Sequence, residues 1–327
     1  MSEQLEKFKE QLVEIENLRS AAALLYWDQA TYMPSGGATA RGQHIATLNR
    51  ISHEKFTSDS IGKLLEDLAW CELELPYDSD EASLVRVTRL KYEKAIKVPS
   101  DFMAKVSNHS AASYQTWTKA RPANDFSTML PYLEKTLELS CQLADFYPGY
   151  EHIADPLIDR SDEGMKAEQI RLIFSELRSK LVPMVNAITS QLAADVSCLY
   201  GNFLEQDQFK FGNMIIKQLG FDFNRGRQDK THHPFMTKFS INDVRITTRS
   251  KDDDISESLF STIHEAGHAF YELGINENFD ATPLGSGTSS SIHESLSRLW
   301  ENLVGRSRAF WEFFYPRLQN AFPDQFD

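Results

Sequence analysis

The sequence runs STIHEAGHAF from Ser261 to Phe270 and sets two histidines, His264 and His268, four residues apart. At about 100° per residue, an α-helix brings both rings to one side, so both can reach one metal ion. Histidine nitrogens are good ligands for Zn²⁺, and a catalytic zinc site needs a third protein ligand and an open position for water. Glu265 is rotated away from His264 and can act as general base toward that water, which is the chemistry of a His-Glu-x-x-His motif.

The flanking residues predict that this motif lies on a helix from Ile255 to Leu273. Asp254 and Glu257 have the spacing of an N-terminal capping box, and Gly274 is a typical residue at a helix end. Apolar residues recur at helical spacing after the cap, namely Ile255, Leu259, Phe260 and Ile263. Because a motif with three fixed positions also arises by chance, the metal hypothesis depends on a third ligand.

Glu294 is the predicted third ligand, and it follows His268 by 26 residues and a Gly/Ser-rich connector at 284–290. That separation lets one helix end, a loop turn and a second helix pack alongside. Two alternatives exist. Glu294 could instead cap its own helix through a Ser291-x-x-Glu294 box. His293 is a rival ligand, but it points about 100° away from Glu294, so only one of the two faces the metal.

The composition indicates a globular, acidic chain of 327 residues, with 41% hydrophobic residues, 25% charged residues and a net charge of −13. An acidic chain without a basic stripe argues against binding to nucleic acid or to an anionic membrane surface. Cys71, Cys141 and Cys198 are far apart, which favours neither a disulfide framework nor a cysteine zinc site. With no apolar signal region and no apolar run long enough to span a bilayer, the chain is predicted to be cytoplasmic.

Apolar periodicity predicts a mainly α-helical chain. The predicted helices cover residues 5–25, 61–73, 81–96, 132–146 and 166–192. Residues 26–37 are predicted as a turn and residues 223–229 as a loop, from their proline, glycine and polar residues. Residues 238–249 are β-branched and partly alternating, which predicts one or two strands of a small sheet just before the histidine helix.

Asp243, Arg245 and Thr247 alternate along this predicted strand and therefore share one face. Polar residues on a common face are often simply exposed. Next to a helix that binds a metal, such residues can also have a role in the site. A carboxylate can orient a ligating imidazole, and an arginine can pair with a substrate carboxylate. Arg249 and Arg298 are two further cations for that carboxylate, and the choice among the three arginines stays open.

Several short motifs extend along the whole chain: Trp27-Asp28 with Met33-Pro34, Asp155-Pro156-Leu157-Ile158-Asp159, His233-Pro234-Phe235, Asp243-x-Arg245-x-Thr247, His264-Glu265-x-x-His268, and His293-Glu294-Ser295 with Trp300-Glu301-Asn302. This ordered set resembles the carboxypeptidase Taq (M32) family of metallopeptidases, the thermostable carboxypeptidases. The combination is far more specific than His-Glu-x-x-His alone.

The resemblance implies that His264, His268 and Glu294 bind the metal and that Glu265 is the catalytic base. It implies a mainly α, large helical metallopeptidase fold with a deep groove and a small β-sheet beside the zinc helix. It also implies a homodimer that removes single residues from peptide C-termini with broad specificity. Zinc is the default ion for two histidines and a carboxylate, although Co²⁺ or Mn²⁺ fits the same ligands.

The chain departs from the family pattern at two points. Leu296 stands where the family usually has glutamine. Family members are also longer, so residues 1–327 are expected to form a single M32-like peptidase domain that lacks the family's C-terminal third. An aromatic-rich terminus, between Trp300 and Phe322, is expected to leave an exposed patch that is either an interface or the mark of missing residues.

The sequence therefore predicts a zinc-dependent metallocarboxypeptidase that hydrolyses the C-terminal bond of peptides with a free C-terminus, with Glu265 activating water. One alternative is a zinc endopeptidase or oligopeptidase, which would cleave amidated peptides as readily as free acids. The other is a truncated, inactive metal-binding or assembly fragment. The preferred C-terminal residue and the physiological metal do not follow from the sequence.

Overall fold

The computed structural model describes residues 3–326, and within that range thirteen α-helices accompany one three-stranded β-sheet. This confirms the predicted mainly α class with a small sheet. A π-helical segment, Leu299–Gly305, joins the last two helices. In chain order the elements are α1 (Glu3–Thr31), α2 (Ala38–Phe56), α3 (Asp59–Asp67), α4 (Ala69–Glu74), α5 (Asp80–Ala95), α6 (Ser100–Ala120), α7 (Phe126–Asp145), α8 (Asp155–Asp159), α9 (Ala167–Thr189), α10 (Glu205–Gln218), β1 (Gly226–Lys230), β2 (Met236–Ser240), β3 (Asp243–Thr248), α11 (Ile255–Leu273), α12 (Ser290–Arg298) and α13 (Arg308–Ala321).

Separate apolar cores stabilise the N-terminal half. The larger core lies between α1, α3 and α5, where Phe8, Leu64 and Val85 are buried. A smaller core joins α6 to α7 through Phe102 and Leu139. The amphipathic spacing of apolar residues in these helices is what directs one face of each toward its core.

The C-terminal core forms between α10, α11 and α13, with Ile215, Ile263 and Phe314 at its centre. Four apolar residues of the terminal segment are at most 6% exposed, namely Phe310, Phe314, Leu318 and Phe322. The expected exposed patch is therefore confirmed only in part: α10 and α11 cover this face of α13, whereas Leu303, Phe313 and Tyr315 are exposed.

The sheet has the order β1-β3-β2, so β3 is central and β2 is an edge strand. β1 pairs with β3 in parallel, and β2 pairs with β3 in antiparallel fashion. Val244 and Ile246 of β3 pack against Ala266 and Ala269 of α11 in one buried cluster. The sheet therefore lies directly against the helix that bears the histidine motif.

The structure confirms the predicted bounds of α11. Its N-terminus is capped by Asp254, whose side chain accepts from the backbone N–H of Ser256, and Gly274 follows its last residue. The second half of the predicted capping box is wrong, because Glu257 pairs with Arg249 and Lys251 instead of returning to the cap. Two cations just before the helix offer that carboxylate a stronger partner than a backbone N–H.

Two other local predictions are wrong in part, although residues 32–37 and 223–225 do form turns or irregular structure. α1 continues to Thr31 through the predicted turn, because Trp27 is buried and Asp28 pairs with Arg41 of α2. The predicted loop at 223–229 overlaps β1, whose backbone is paired with β3. In both segments, contacts with distant residues override the local preference.

α9 lies apart from these cores, and its large apolar residues, including Phe174, Leu177, Leu181 and Ile188, are exposed. Among the helices within residues 3–326, none is long and apolar enough to cross a membrane. The three cysteines are free thiols.

Candidate metal centre

His264 and His268 of α11 and Glu294 of α12 converge where the two helices pack together. The Glu294 Oε2 atom lies 3.2 Å from His268 Nε2 and 3.6 Å from His264 Nε2. One potential ligand atom from each of the three residues lies within 4.8 Å of the other two. Two imidazole nitrogens and a carboxylate oxygen at this spacing can hold one divalent ion.

α12 reaches this position because α11 has no side chain at Gly267. A Cβ atom there would lie 2.7 Å from the Cα of Ser297 and 2.9 Å from the carbonyl oxygen of Leu296. Ser289 caps α12 through the N–H of Ile292, so the alternative Ser291-x-x-Glu294 box does not form. The carboxylate of Glu294 therefore faces α11.

Glu294 is held by residues of its own helix. Ser297 Oγ donates to its Oε2 at 3.0 Å and Arg298 Nε donates to its Oε1 at 2.8 Å. Burial opposes ionisation, but these donors lower the pKa of Glu294 below its usual value. The carboxylate is therefore ionised at neutral pH, as a metal ligand must be.

His264 is oriented by a second carboxylate, that of Glu301 in the π-helical segment. The His264 Nδ1 atom lies 2.9 Å from Glu301 Oε2, and Arg306 donates to the other oxygen at 2.7 Å. An ionised carboxylate can only accept, so the Nδ1–H of His264 is the donor and its Nε2 is left unprotonated. Metal-ligating histidines are commonly oriented in this way.

His268 is oriented by His293, which the sequence left as a rival ligand. The Nδ1 atoms of the two rings are 2.6 Å apart, and His293 Nε2 lies 2.9 Å from Glu272 Oε1. His293 thus faces the far nitrogen of His268, away from Glu294. Burial, with the neighbouring rings of His293 and His264, lowers the pKa of His268 to about 4, so the ring is neutral and can act as a ligand.

Glu265 is 6% exposed and lies on the β2 side of α11. Burial and the nearby carboxylate of Glu294 raise the pKa of Glu265 to about 8, although a hydrogen bond from the backbone of Met236 acts in the opposite direction. A general base works best with a pKa near the working pH, and a bound cation would bring this value down.

Comparison with known proteins places this chain in a family. Residues 7–327 match the family model described as carboxypeptidase Taq (M32) metallopeptidase. The chain belongs to this family. Among relatives of this M32 chain, thermostable carboxypeptidase 1 of Thermus thermophilus is 36% identical over 93% of this chain and 62% of its own length. Carboxypeptidase 1 of Bacillus subtilis is 33% identical, over 98% of this chain and 64% of its own.

A solved structure supports the same assignment. The crystal structure of M32 carboxypeptidase from Deinococcus radiodurans R1 is 45% identical in sequence and superposes with a TM-score of 0.88, covering 99% of this chain and 65% of that one. The M32 chain described here thus spans less than two thirds of the length of these relatives.

The other predicted site residues of the M32 chain lie on β3. Arg245 makes two hydrogen bonds of 2.8 Å to Asp243, and its guanidinium lies over the ring of Trp27 at 4.3 Å from the centroid. Thr247 is fully buried and bonds both backbone groups of Phe235, accepting from its N–H at 2.9 Å and donating to its carbonyl oxygen at 3.0 Å. Phe235 directly precedes Met236, so Thr247 fixes the start of the strand that contacts Glu265.

Sequence reasoning missed that Glu301 and Glu272 help to orient the two histidines. Glu301 follows Glu294 by seven residues, which is two helical turns, and Glu272 follows His268 by four, so helical spacing could have found both. Lys238, which pairs with Glu272, is on β2 and has no comparable signal in the sequence.

Proposed function

We propose that this chain is a zinc-dependent metallocarboxypeptidase with broad specificity. The main support is the convergence of His264, His268 and Glu294, with the buried carboxylate of Glu265 beside them, in a chain of the M32 family. The donor set fits a divalent ion, because Nδ1 of each histidine is already bonded to another side chain and each Nε2 is available. Zn²⁺ suits two imidazoles and a carboxylate, and Co²⁺ or Mn²⁺ could replace it.

A divalent ion bound there would polarise the carbonyl of the scissile peptide bond and lower the pKa of a nearby water. Glu265 takes the proton from that water as it attacks the carbonyl carbon, and then gives the proton to the leaving amine. The backbone of Met236 favours the ionised form of Glu265, which is the form that accepts this proton.

A carboxypeptidase must also bind a free C-terminal carboxylate, and we assign this role to Arg245, supported by Asp243 and Thr247. Asp243 already pairs with Arg245, so a substrate carboxylate would compete for the same guanidinium. One observation favours Arg298 as a second candidate, since it contacts Glu294 and is half exposed. Arg249 is held by Glu257 at the start of α11.

We assign the rest of the peptide chain to a cavity that Tyr26 connects to Phe235. A cavity of about 630 Å³ lies between α1, α2 and α6, and Tyr26 and Tyr114 are among its lining residues. Tyr26 packs on Phe235 with ring centroids 5.9 Å apart, and Phe235 leads directly into the strand that contacts Glu265. An extended peptide that ends near Glu265 could therefore continue toward this cavity.

The proposal is tested with matched blocked dipeptides, one a free acid and one an amide, on the wild-type chain and on Glu265→Gln. We expect release of the C-terminal residue from the free acid only, and a loss of about 10²–10⁴-fold in rate for Glu265→Gln with its metal retained. Equal cleavage of acid and amide would favour the endopeptidase or oligopeptidase. Bound zinc without turnover would favour the inactive fragment, and no stoichiometric zinc would refute the metal site.

The carboxylate-binding arginine is tested with Arg245→Met, Arg298→Met and Arg249→Met under the same conditions. Loss of the pairing cation should raise KM for the free acid by about tenfold or more, since a charged hydrogen bond contributes about 1.5–3 kcal/mol. We expect this change for Arg245→Met, and Arg249→Met is the control. The same increase confined to Arg298→Met would assign the role to Arg298.

We also propose that the chain forms a homodimer. The support is the row of exposed apolar side chains along α9, which is of the kind that a second protein surface covers. Analytical ultracentrifugation of the wild-type chain and of Leu177→Glu tests this. A dimer that becomes a monomer in the variant is expected, and a wild-type monomer would refute the proposal.

A further inference from the structure

The candidate ligands His264 and His268 are oriented by different groups. His264 donates directly to a carboxylate, that of Glu301. His268 meets another imidazole, that of His293, and the carboxylate of Glu272 lies beyond it. A histidine binds a metal only through an unprotonated nitrogen, so the position of the proton on the His268 ring decides which nitrogen can be a ligand.

Glu272 is 4% exposed, and its carboxylate accepts hydrogen bonds from three donors. Lys238 Nζ donates to its Oε2, while the backbone N–H of Gly287 and His293 Nε2 donate to its Oε1 at 3.0 Å and 2.9 Å. The ammonium group of Lys238 already balances the single negative charge of this carboxylate. His293 can therefore remain neutral, with its one proton on Nε2.

The remaining proton positions follow from hydrogen-bond chemistry. With Nε2–H bonded to Glu272, Nδ1 of the neutral His293 ring is an acceptor. His268 Nδ1, 2.6 Å away, must then be the donor. Its proton is on Nδ1, and Nε2 of His268 faces Glu294 Oε2 at 3.2 Å with a free lone pair.

The position of the His293 ring is also fixed sterically. Tyr271 packs against it edge-on, with ring centroids 5.1 Å apart. Gly287 leaves the space that the ring needs, since a Cβ atom there would lie 2.6 Å from His293 Cδ2 and 3.0 Å from Tyr271 Cε1. The ring therefore cannot turn freely to exchange its two nitrogens.

We propose that His293 and Glu272 are positioning residues that hold His268 in its Nδ1–H form, with Nε2 directed at the metal. This role rests on the metal site of the proposed function. It makes His293 an orienting group and Glu294 the ligand, although the two are neighbours in sequence. Loss of such supporting groups commonly lowers metal affinity by about 10–100-fold.

Zinc affinity, measured by competition with a chromophoric chelator, tests the role in the full chain. His293→Leu removes both hydrogen bonds and should weaken zinc binding by about 10–100-fold. His293→Gln can still accept through its carbonyl oxygen and donate through its amide, so it should retain affinity to within a few-fold. Glu272→Gln removes the charge that fixes the proton on His293 and should weaken binding by about tenfold.

Glu257→Gln is the matched control, because Glu257 is a partly buried carboxylate on the same helix that pairs with two cations, Arg249 and Lys251. It should bind zinc like the wild type. The visible spectrum of the Co²⁺-loaded chain gives a second readout, and we expect it to change in His293→Leu and to return in His293→Gln. Circular dichroism of the metal-free variants confirms that each is folded.

The outcomes separate this role from the metal site itself. Equal zinc affinity for the wild type, His293→Leu and Glu272→Gln would overturn the positioning role while leaving the three-ligand site intact. Equal losses in His293→Leu and His293→Gln would also overturn it, because the hydrogen-bonding pattern would then be irrelevant. A wild-type chain that binds no zinc would overturn both.

Discussion

Substitution of Gly267 by alanine tests whether the contact between α11 and α12 sets the metal site. The new Cβ would lie 2.7 Å from the Cα of Ser297, and ordinary contacts begin at 3.4 Å. Both close atoms belong to the backbone, so a side chain cannot move aside to relieve the clash. The two helices would have to separate by about 0.7 Å at this point, and Glu294 lies on the same short helix as Ser297.

Two effects on stability oppose each other in Gly267→Ala. Alanine is favoured over glycine inside a helix by about 1 kcal/mol. Forcing an extra methyl group into a packed contact costs about 1–3 kcal/mol. We therefore expect a net loss of up to about 2 kcal/mol in the free energy of unfolding of the metal-free chain.

The effect on metal binding should be larger, since metal–ligand distances tolerate about 0.2 Å of displacement. A separation of about 0.7 Å moves the Glu294 carboxylate outside that range, and we expect zinc affinity to fall by about 10–100-fold. Guanidinium unfolding of the metal-free protein and chelator competition measure the two quantities. Gly42→Ala in α2 is the control, because its Cβ would meet nothing closer than 3.9 Å.

Gly42→Ala should gain up to about 1 kcal/mol in stability and leave zinc affinity unchanged. If Gly267→Ala were as stable as Gly42→Ala and bound zinc as tightly as the wild type, the reasoning would be refuted. That result would mean that α12 is not held at the distance that Gly267 allows.

Two further predictions concern stability. Thr247→Val leaves the N–H of Phe235 without its side-chain acceptor, so the free energy of unfolding should fall by about 1–3 kcal/mol in denaturant, whereas Thr189→Val on exposed α9 should change it by less than about 0.5 kcal/mol. A similar small change in both would contradict the role given to Thr247. Although burial opposes it, the donors His293 and Lys238 lower the pKa of Glu272 from 4.5 to about 2. A carboxylate whose pKa is lower in the folded chain than in the unfolded chain stabilises the fold at pH values above its unfolded-state pKa. That contribution is lost as the pH falls toward its folded-state pKa. The metal-free wild type should therefore lose up to about 3 kcal/mol relative to Glu272→Gln between pH 4.5 and 2, and parallel pH profiles would contradict this.

The sequence was sufficient to predict α11, because its signals are local and agree with one another. An Asp cap, helical apolar spacing and a terminal glycine set the bounds that the structure has, from Ile255 to Leu273. The order of short motifs predicted the M32 family, and the match over residues 7–327 confirms it. The prediction of Glu294 as a ligand has geometric support, since its carboxylate lies between the two Nε2 atoms.

The parts that sequence reasoning missed depend on contacts between distant segments. β1 has little strand character of its own and is stabilised by pairing with β3. Lys238 and His293 reach Glu272 from 34 and 21 residues away, and neither contact has a signal in the local sequence. Phe310, Phe314 and Phe322 are buried against expectation because the surface that covers them, formed by α10 and α11, is not visible in a local pattern.

The two unspecified positions of the His-Glu-x-x-His motif explain how the candidate ligands reach one another in this chain. Ala266 is fully buried against Val244 and Ile246 of the sheet, and Gly267 touches α12. A larger residue at either position would push α11 away from one of its neighbours. On the side of α11 that packs against the sheet, Met236 lies next to Glu265. On the side that packs against α12, Glu294 lies next to His264 and His268. The motif therefore specifies the rotation and the packing distance of its helix, as well as the residues that can bind the metal.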